Sequence, residues 1–213
     1  MLLTQNLQFR HPGGPLLSFP DLSVGTGETL LVLGPSGCGK TTLLHLLAAL
    51  LRPASGSITV GDTELEKLSP TRADRFRGQH IGMVHQQTPF VAALTVGENI
   101  RLSPFARERA AAEKLAQRLG IGELWHRMPA GLSVGERQRM AIARALVTQP
   151  RLILADEPTS ALDRTHCDTV VALLQEQAAE HGAALVIVTH DERLRAQIPR
   201  TVELQAIAQN AAL

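Results

Sequence analysis

The chain has 213 residues, enough for one large domain or two small lobes around a sizeable core. A formal net charge of +1 supplies none of the basic field that nucleic-acid binding usually needs, so no nucleic-acid partner is expected. Aromatic residues make up 3% and Tyr is absent, which leaves the core to Leu, Ala, Val and Ile. The N-terminus lacks a basic stretch followed by an apolar run, so no signal peptide is expected. No apolar run reaches spanning length, and the chain reads as soluble by itself, able to dock on a membrane protein. Cys38 and Cys167 are too few and too unpatterned for a disulfide framework, which suits a reducing cytosol. Cys167 is expected to be a small buried residue. Cys38 lies in a Gly-rich loop and is expected to be accessible.

In chain order, the first part reads as β-rich. Residues 2–9 form one predicted strand and 29–33 the next. A helix is predicted over 40–51, a third strand over 57–60, and a short apolar run over 81–84. From 87 to 149 the character changes, with Ala-rich periodic stretches at 107–119 and 136–148 that read as helices. The last part alternates again: a strand at 152–155, a helix at 167–180 and a strand at 184–188, with Pro150 and Gly182 at the joins. Strands alternating with helices predict a mostly parallel α/β sheet. The expected organisation is a single domain over 1–213, with a core from 1–86 and 150–213 and an inserted helical subdomain over 87–149. There is no internal repeat and no low-complexity segment.

Gly34-Pro35-Ser36-Gly37-Cys38-Gly39-Lys40-Thr41 fits the phosphate-binding loop G-x-x-x-x-G-K-[ST], between a predicted strand and a predicted helix. Glycines let the backbone wrap phosphate oxygens closely, and loop N–H groups with the helix N-terminus supply positive potential. Lys40 can reach the β- and γ-phosphates, and the Thr41 hydroxyl can ligate Mg²⁺. Further on, the strand at 152–155 ends in Asp156 and Glu157, at the edge where α/β sheets bind ligands. Asp156 suits the Walker B role of holding Mg²⁺ through water, and Glu157 can polarise an attacking water. These segments point to a nucleoside triphosphate without saying what its energy drives.

Leu132-Ser133-Val134-Gly135-Glu136 runs into Arg137-Gln138-Arg139-Met140-Ala141-Ile142-Ala143-Arg144-Ala145-Leu146. This resembles the signature motif of the ABC-type ATPases, usually LSGGQ or LSGGE, with its following helix. Ser133 at the start of that helix would present its hydroxyl and the helix N-terminus outward as an anion site. Other motifs of the family follow in order: Gln86 matches the Q-loop glutamine, Ser160-Ala161-Leu162-Asp163 the D-loop, and His190 the switch histidine. The resemblance spans nearly the whole chain. It implies a P-loop NTPase fold, with a RecA-like, mostly parallel sheet, an antiparallel N-terminal β part and an inserted helical subdomain.

The resemblance also implies a shared site. In this family the signature of one subunit closes over ATP held by the P-loop of another, so a second copy of this chain is the simplest partner. On that reading Thr41, Gln86 and Asp156 organise Mg²⁺, Lys40 and His190 hold the γ-phosphate, and Glu157 orients water. Ser133 and Gly135 complete the opposite site, Thr42 adds a phosphate contact, and the D-loop places Asp163 at the nucleotide. Two residues depart from the pattern: Val134 replaces the usual Gly, and His11 stands where the family commonly stacks an aromatic ring on adenine.

Among the family's classes, chromosome and repair ATPases insert long coiled coils between the Q-loop and the signature; the stretch from Gln86 to Leu132 has no room for them. An ATP-hydrolysing subunit of a transporter fits best, with the membrane permease on separate chains docking near 87–100 through Pro89, Phe90 and Val91, and the subunit lying on the cytoplasmic face of the membrane. Leu65-Glu66-Lys67-Leu68-Ser69, followed by Arg72 to Arg77 and Ile81-Gly82-Met83-Val84, looks like the lipoprotein-release, macrolide-efflux and cell-division group, as do His126-Arg127-Met128-Pro129 and Glu136. Ser160 reads more like the amino-acid importers. An importer subunit or a non-transport regulatory cassette stays as the alternative.

Overall fold

The computed structural model describes residues 1–86, 89–159 and 164–205, with 164–166 as backbone only. A D-loop role for Asp163 and any docking role for Gln87 fall outside the described residues.

Two sheets lie within that range. The antiparallel one has β1 (Leu2–Arg10) at its centre, flanked by β2 (Leu16–Ser18), β3 (Ser23–Val24) and β5 (Ser55–Val60), with β6 (Thr63–Glu64) beyond β5. β1 buries Leu2 and Thr4, then slips one position to bury Leu7 and Phe9. The slip comes from a bulge between Gln5 and Gln8, where Asn6 takes a left-handed φ of 48°. It points Phe9 inward at the strand end that leads to His11.

The second sheet is parallel throughout, in the order β10 (Thr201–Glu203), β4 (Thr29–Leu33), β9 (Ala184–Thr189), β8 (Leu152–Asp156), β7 (Ile81–Val84). Strands buried on both faces read as unbroken apolar runs, and β4, β8 and β9 do so because alternate residues feed two different cores. Leu31, Leu33, Ile153, Ala155, Leu185 and Ile187 face one cluster. Leu30, Val32, Leu152, Leu154, Val186 and Val188 face the other, shared with the antiparallel sheet and with α1 (Lys40–Leu47).

The first cluster also holds the apolar residues of α3 (Val96–Ile100), α4 (Arg109–Arg118), α5 (Val134–Leu146) and α6 (Arg164–His181). Trp125 is buried there, its ring laid so close over Gly97 that a Cβ at Gly97 would stand 2.3 Å from it. The apolar residues of the 87–149 stretch therefore join a core common with the sheet.

α1 stops at Leu47, short of the expected 51. The Leu-rich pattern continues, but Ala49 turns left-handed at φ 53° and Pro53 follows, while the amides of Leu50 and Leu51 both close back on the His45 carbonyl. α5 begins two residues earlier than expected because Ser133 caps it, and ends earlier because Gln149 is left-handed (φ 51°) before Pro150. α2 (Pro70–His80) is polar apart from a buried Phe76 and carries no periodic apolar stripe for sequence reading to find. Among the described residues, no helix is long and apolar enough to cross a membrane.

Candidate active site

The C-terminal ends of β4, β8 and β9 converge, and three loops leave from this edge. After β4 comes the Gly34–Thr41 loop. Gly39 caps α1 in a left-handed conformation, φ 99°, which a side chain would strain. Gly34 is restricted by space instead: a Cβ there would lie 2.6 Å from Cys38 Sγ and 2.8 Å from the Leu204 carbonyl. Cys38 therefore turns inward and is 6% exposed within the β-side core. This corrects the expectation of an accessible thiol: the sulfur packs inward, and the Cys38 N–H donates to the Pro35 carbonyl at 3.4 Å. Pro35, Ser36 and Gly37 form the loop's outer bend, with Gly37 at φ 80°.

Lys40 is nearly buried. Its ammonium donates to the carbonyls of Gly34 at 2.7 Å and Pro35 at 3.0 Å, and stands 3.7 Å from Glu157 Oε1. The Thr41 hydroxyl donates to Asp156 Oδ2 at 3.1 Å, joining the P-loop helix to the end of β8. Burial pushes the Asp156 carboxyl up, against the Thr41 hydrogen bond that lowers it, and the charge of Glu157 raises it further. A hydroxyl and a carboxylate short of positive charge are a donor set that fits Mg²⁺, which takes few protein ligands beside phosphate oxygens and water. Gln86 follows β7, the neighbour of β8, and is exposed on the same edge.

Glu157 takes a left-handed backbone, φ 47°, which is uncommon for this residue type and concentrates at functional positions. Its N–H donates to the Val188 carbonyl at 2.9 Å, extending the β8–β9 pairing by one residue. That register carries Thr189 and His190 alongside. Thr189 donates to Glu157 Oε2 and His190 Nδ1 meets Oε1, both at 2.8 Å. Sequence reading missed Thr189; its signal was the strand register that puts it opposite Glu157.

His11 is exposed beside the P-loop helix, its Nε2 3.3 Å from Thr42 Oγ1 and its ring edge-on to Phe9 at 4.7 Å. Ser133 and Gly135 are not brought to this edge. Ser133 caps α5 in a reciprocal box, accepting from Glu136 N while Glu136 Oε2 accepts from Ser133 N at 2.7 Å. That backbone hydrogen bond holds the Glu136 carboxyl below its usual range. Among the described residues, no hydrogen bond or ion pair joins Ser133 or Gly135 to the P-loop. Val134 is 51% exposed beside them.

Two contacts tie α5 to the other loops. Gln138 donates to the Pro158 carbonyl at 3.0 Å, next to Glu157. Arg144 donates to the Pro89 carbonyl at 2.7 Å and lies over the Phe90 ring at 5.1 Å. Phe90 packs against the helical-side core, whereas Val91 is 42% exposed, so the expected apolar docking trio divides between inside and outside.

A P-loop lysine, a threonine–aspartate pair and a glutamate–histidine pair on one parallel sheet edge define a P-loop ATPase cassette. Comparison with known proteins agrees. The family model described as ABC transporter matches residues 17–160. The lipoprotein-releasing system ATP-binding protein LolD of Shewanella frigidimarina is 40% identical, over 89% of this chain and 82% of its own. That of Anaeromyxobacter dehalogenans is 44% identical, with the same coverages of 89% and 82%. Among solved structures, the ATP-binding cassette MJ0796, a dimer bound to ADP and Pi in a post-hydrolysis state, superposes with a TM-score of 0.83 at 29% identity. The match covers 97% of this chain and 96% of MJ0796. The chain belongs to the ABC transporter family, as an ATP-binding and ATP-hydrolysing subunit.

Proposed function

We propose that this subunit powers a lipoprotein-release-type transporter by ATP-driven closure of a homodimer. The observation that carries the proposal is the division of the site: Lys40, Thr41, Asp156, Glu157 and His190 are assembled on one edge, while Ser133 and Gly135 stand apart on an exposed helix start. A second copy, head to tail, brings the missing donors. Relatives named for lipoprotein release, aligned over most of this chain and most of their own, support that cargo class over an importer role. A dimeric solved relative supports the pairing.

In this reading the loop N–H groups of 34–41 and Lys40 hold the phosphates, with Thr42 beside them, and His11 lies against adenine. Thr41, Asp156 and Gln86 hold Mg²⁺, which when bound neutralises charge on the β- and γ-phosphates. Glu157 orients water and takes its proton, and His190 meets the γ-phosphate. Ser133 hydroxyl, Gly135 N–H and the α5 N-terminus complete the charge stabilisation from the partner copy. The work is positioning and electrostatics more than covalent chemistry. A membrane permease docks at 87–100, where Val91 is exposed and Arg144 links the segment to the signature helix. In the same reading the subunit lies on the cytoplasmic face of the membrane, held there by the permease.

Glu157→Gln tests the mechanism. It is expected to bind ATP, sediment as a dimer in ATP, and lose about 10²-fold or more in kcat. Turnover near wild type would remove Glu157 from its role.

A further inference from the structure

We infer that Thr189 is a positioning residue for hydrolysis, setting the orientation of the Glu157 carboxylate through its hydroxyl. The inference rests on the proposed role of Glu157 and adds a residue to it.

Thr189 ends β9 and is fully buried, so no solvent competes for its hydroxyl. Its oxygen accepts the backbone N–H of Asp191 at 3.0 Å. With a lone pair so occupied, the hydroxyl proton is turned toward Glu157 Oε2, 2.8 Å away. Asp191 is itself fixed: its carboxylate accepts from the Arg193 N–H and from the Arg193 guanidinium, which hold it below the usual carboxylate range. The chain of donors therefore runs from a capped turn, through one buried hydroxyl, to one oxygen of the catalytic acid.

The two Glu157 oxygens are thereby made unequal. Oε2 is bound to a buried hydroxyl that is itself held by the Asp191 N–H. Oε1 faces Lys40 at 3.7 Å and His190 at 2.8 Å, groups that also belong to the phosphate. The side chain is anchored at its base as well, since Glu157 N bonds Val188 and its φ is left-handed. A carboxylate pinned through Oε2 offers its remaining lone pairs in one direction. Without the Thr189 hydroxyl it can rotate, and the fraction of bound ATP facing a correctly aimed carboxylate falls. Binding does not depend on that rotation, because phosphate contacts come from the P-loop. The effect belongs in kcat and not in KM.

Thr189→Val keeps the shape and removes the hydroxyl, Thr189→Ser keeps the hydroxyl, and Thr189→Ala serves as a smaller hydroxyl-free variant should Val misfold. Each is measured for kcat, KM for ATP and thermal unfolding, alone and combined with Glu157→Gln. The expected result is a fall of about 10- to 100-fold in kcat for Val or Ala, the size of one hydrogen bond to a charged group. KM should stay within about twofold, and Thr189→Ser should keep at least about half of wild-type kcat. Combined with Glu157→Gln, Thr189→Val should add almost nothing, because both act through one carboxylate. Wild-type kcat in the folded Val or Ala variant overturns the proposal. Equal damage from Ser and Val also overturns it, as does full additivity with Glu157→Gln. If Glu157→Gln alone turns over normally, the reading of Glu157 fails first, and its own single-variant assay identifies that outcome.

Discussion

The P-loop edge and the signature end of α5, which the proposed mechanism joins in one reaction, are built differently. At the P-loop edge most of the chemical side chains are partnered within the chain: Lys40 with two carbonyls and Glu157, Thr41 with Asp156, Glu157 with Thr189 and His190. Three strand ends fix these groups from below, and the cost of a strained Glu157 and a buried Asp156 is carried by the sheet. The signature end is the reverse. Ser133 and Glu136 cap each other at an exposed helix start, and Val134 faces outward. A preformed half on rigid strands and an exposed half on a helix start is the division expected when ligand and second subunit supply the remaining contacts.

That contrast can be broken at either half. The largest effect is expected at Asp156. Asp156→Asn should abolish Mg²⁺-dependent turnover, about 10²-fold or more, measured by phosphate release with and without the metal. The same variant should raise the Tm of the nucleotide-free protein by about 2 °C, because it removes a carboxylate that burial disfavours in its charged form. A lower Tm would mean that the carboxylate is supported better than its surroundings imply. At the other half a smaller effect is expected. Val134→Gly restores the common family residue at an exposed position, and should raise ATPase activity at dilute protein by about twofold, with Tm nearly unchanged. A loss of activity would show that Val134 makes a favourable contact of its own. Least of all is expected at Cys38: iodoacetamide should leave native protein unmodified and active until denaturant is added, since the thiol packs in the core. Rapid labelling blocked by ATP would restore the accessible-loop view.

Much of the site was legible in the sequence because its residues terminate strongly patterned elements. Thr29–Leu33, Leu152–Asp156 and Ala184–Thr189 are unbroken apolar runs, and Lys40, Asp156, Glu157 and His190 stand at or near their ends. What was not legible depended on register or on very short elements. Thr189 looks like a residue just past the predicted strand until β8 and β9 are aligned. The strands Leu16–Ser18, Ser23–Val24 and Thr63–Glu64 are too short to show a period. Cys38 was misjudged because the loop pattern gives no sign of which side chain turns inward; the contact with Gly34 and Leu204 does that. The links from α5 through Gln138 and Arg144 join residues far apart in the chain, beyond any local pattern.

The central claim is that the preformed edge works only when a second copy closes it. The direct measurement is specific ATPase activity across a dilution series, with sedimentation of the same samples in ATP. The account predicts activity per molecule that rises with protein concentration, in step with the appearance of dimer. Constant activity per molecule in samples that sediment as monomer throughout would contradict it.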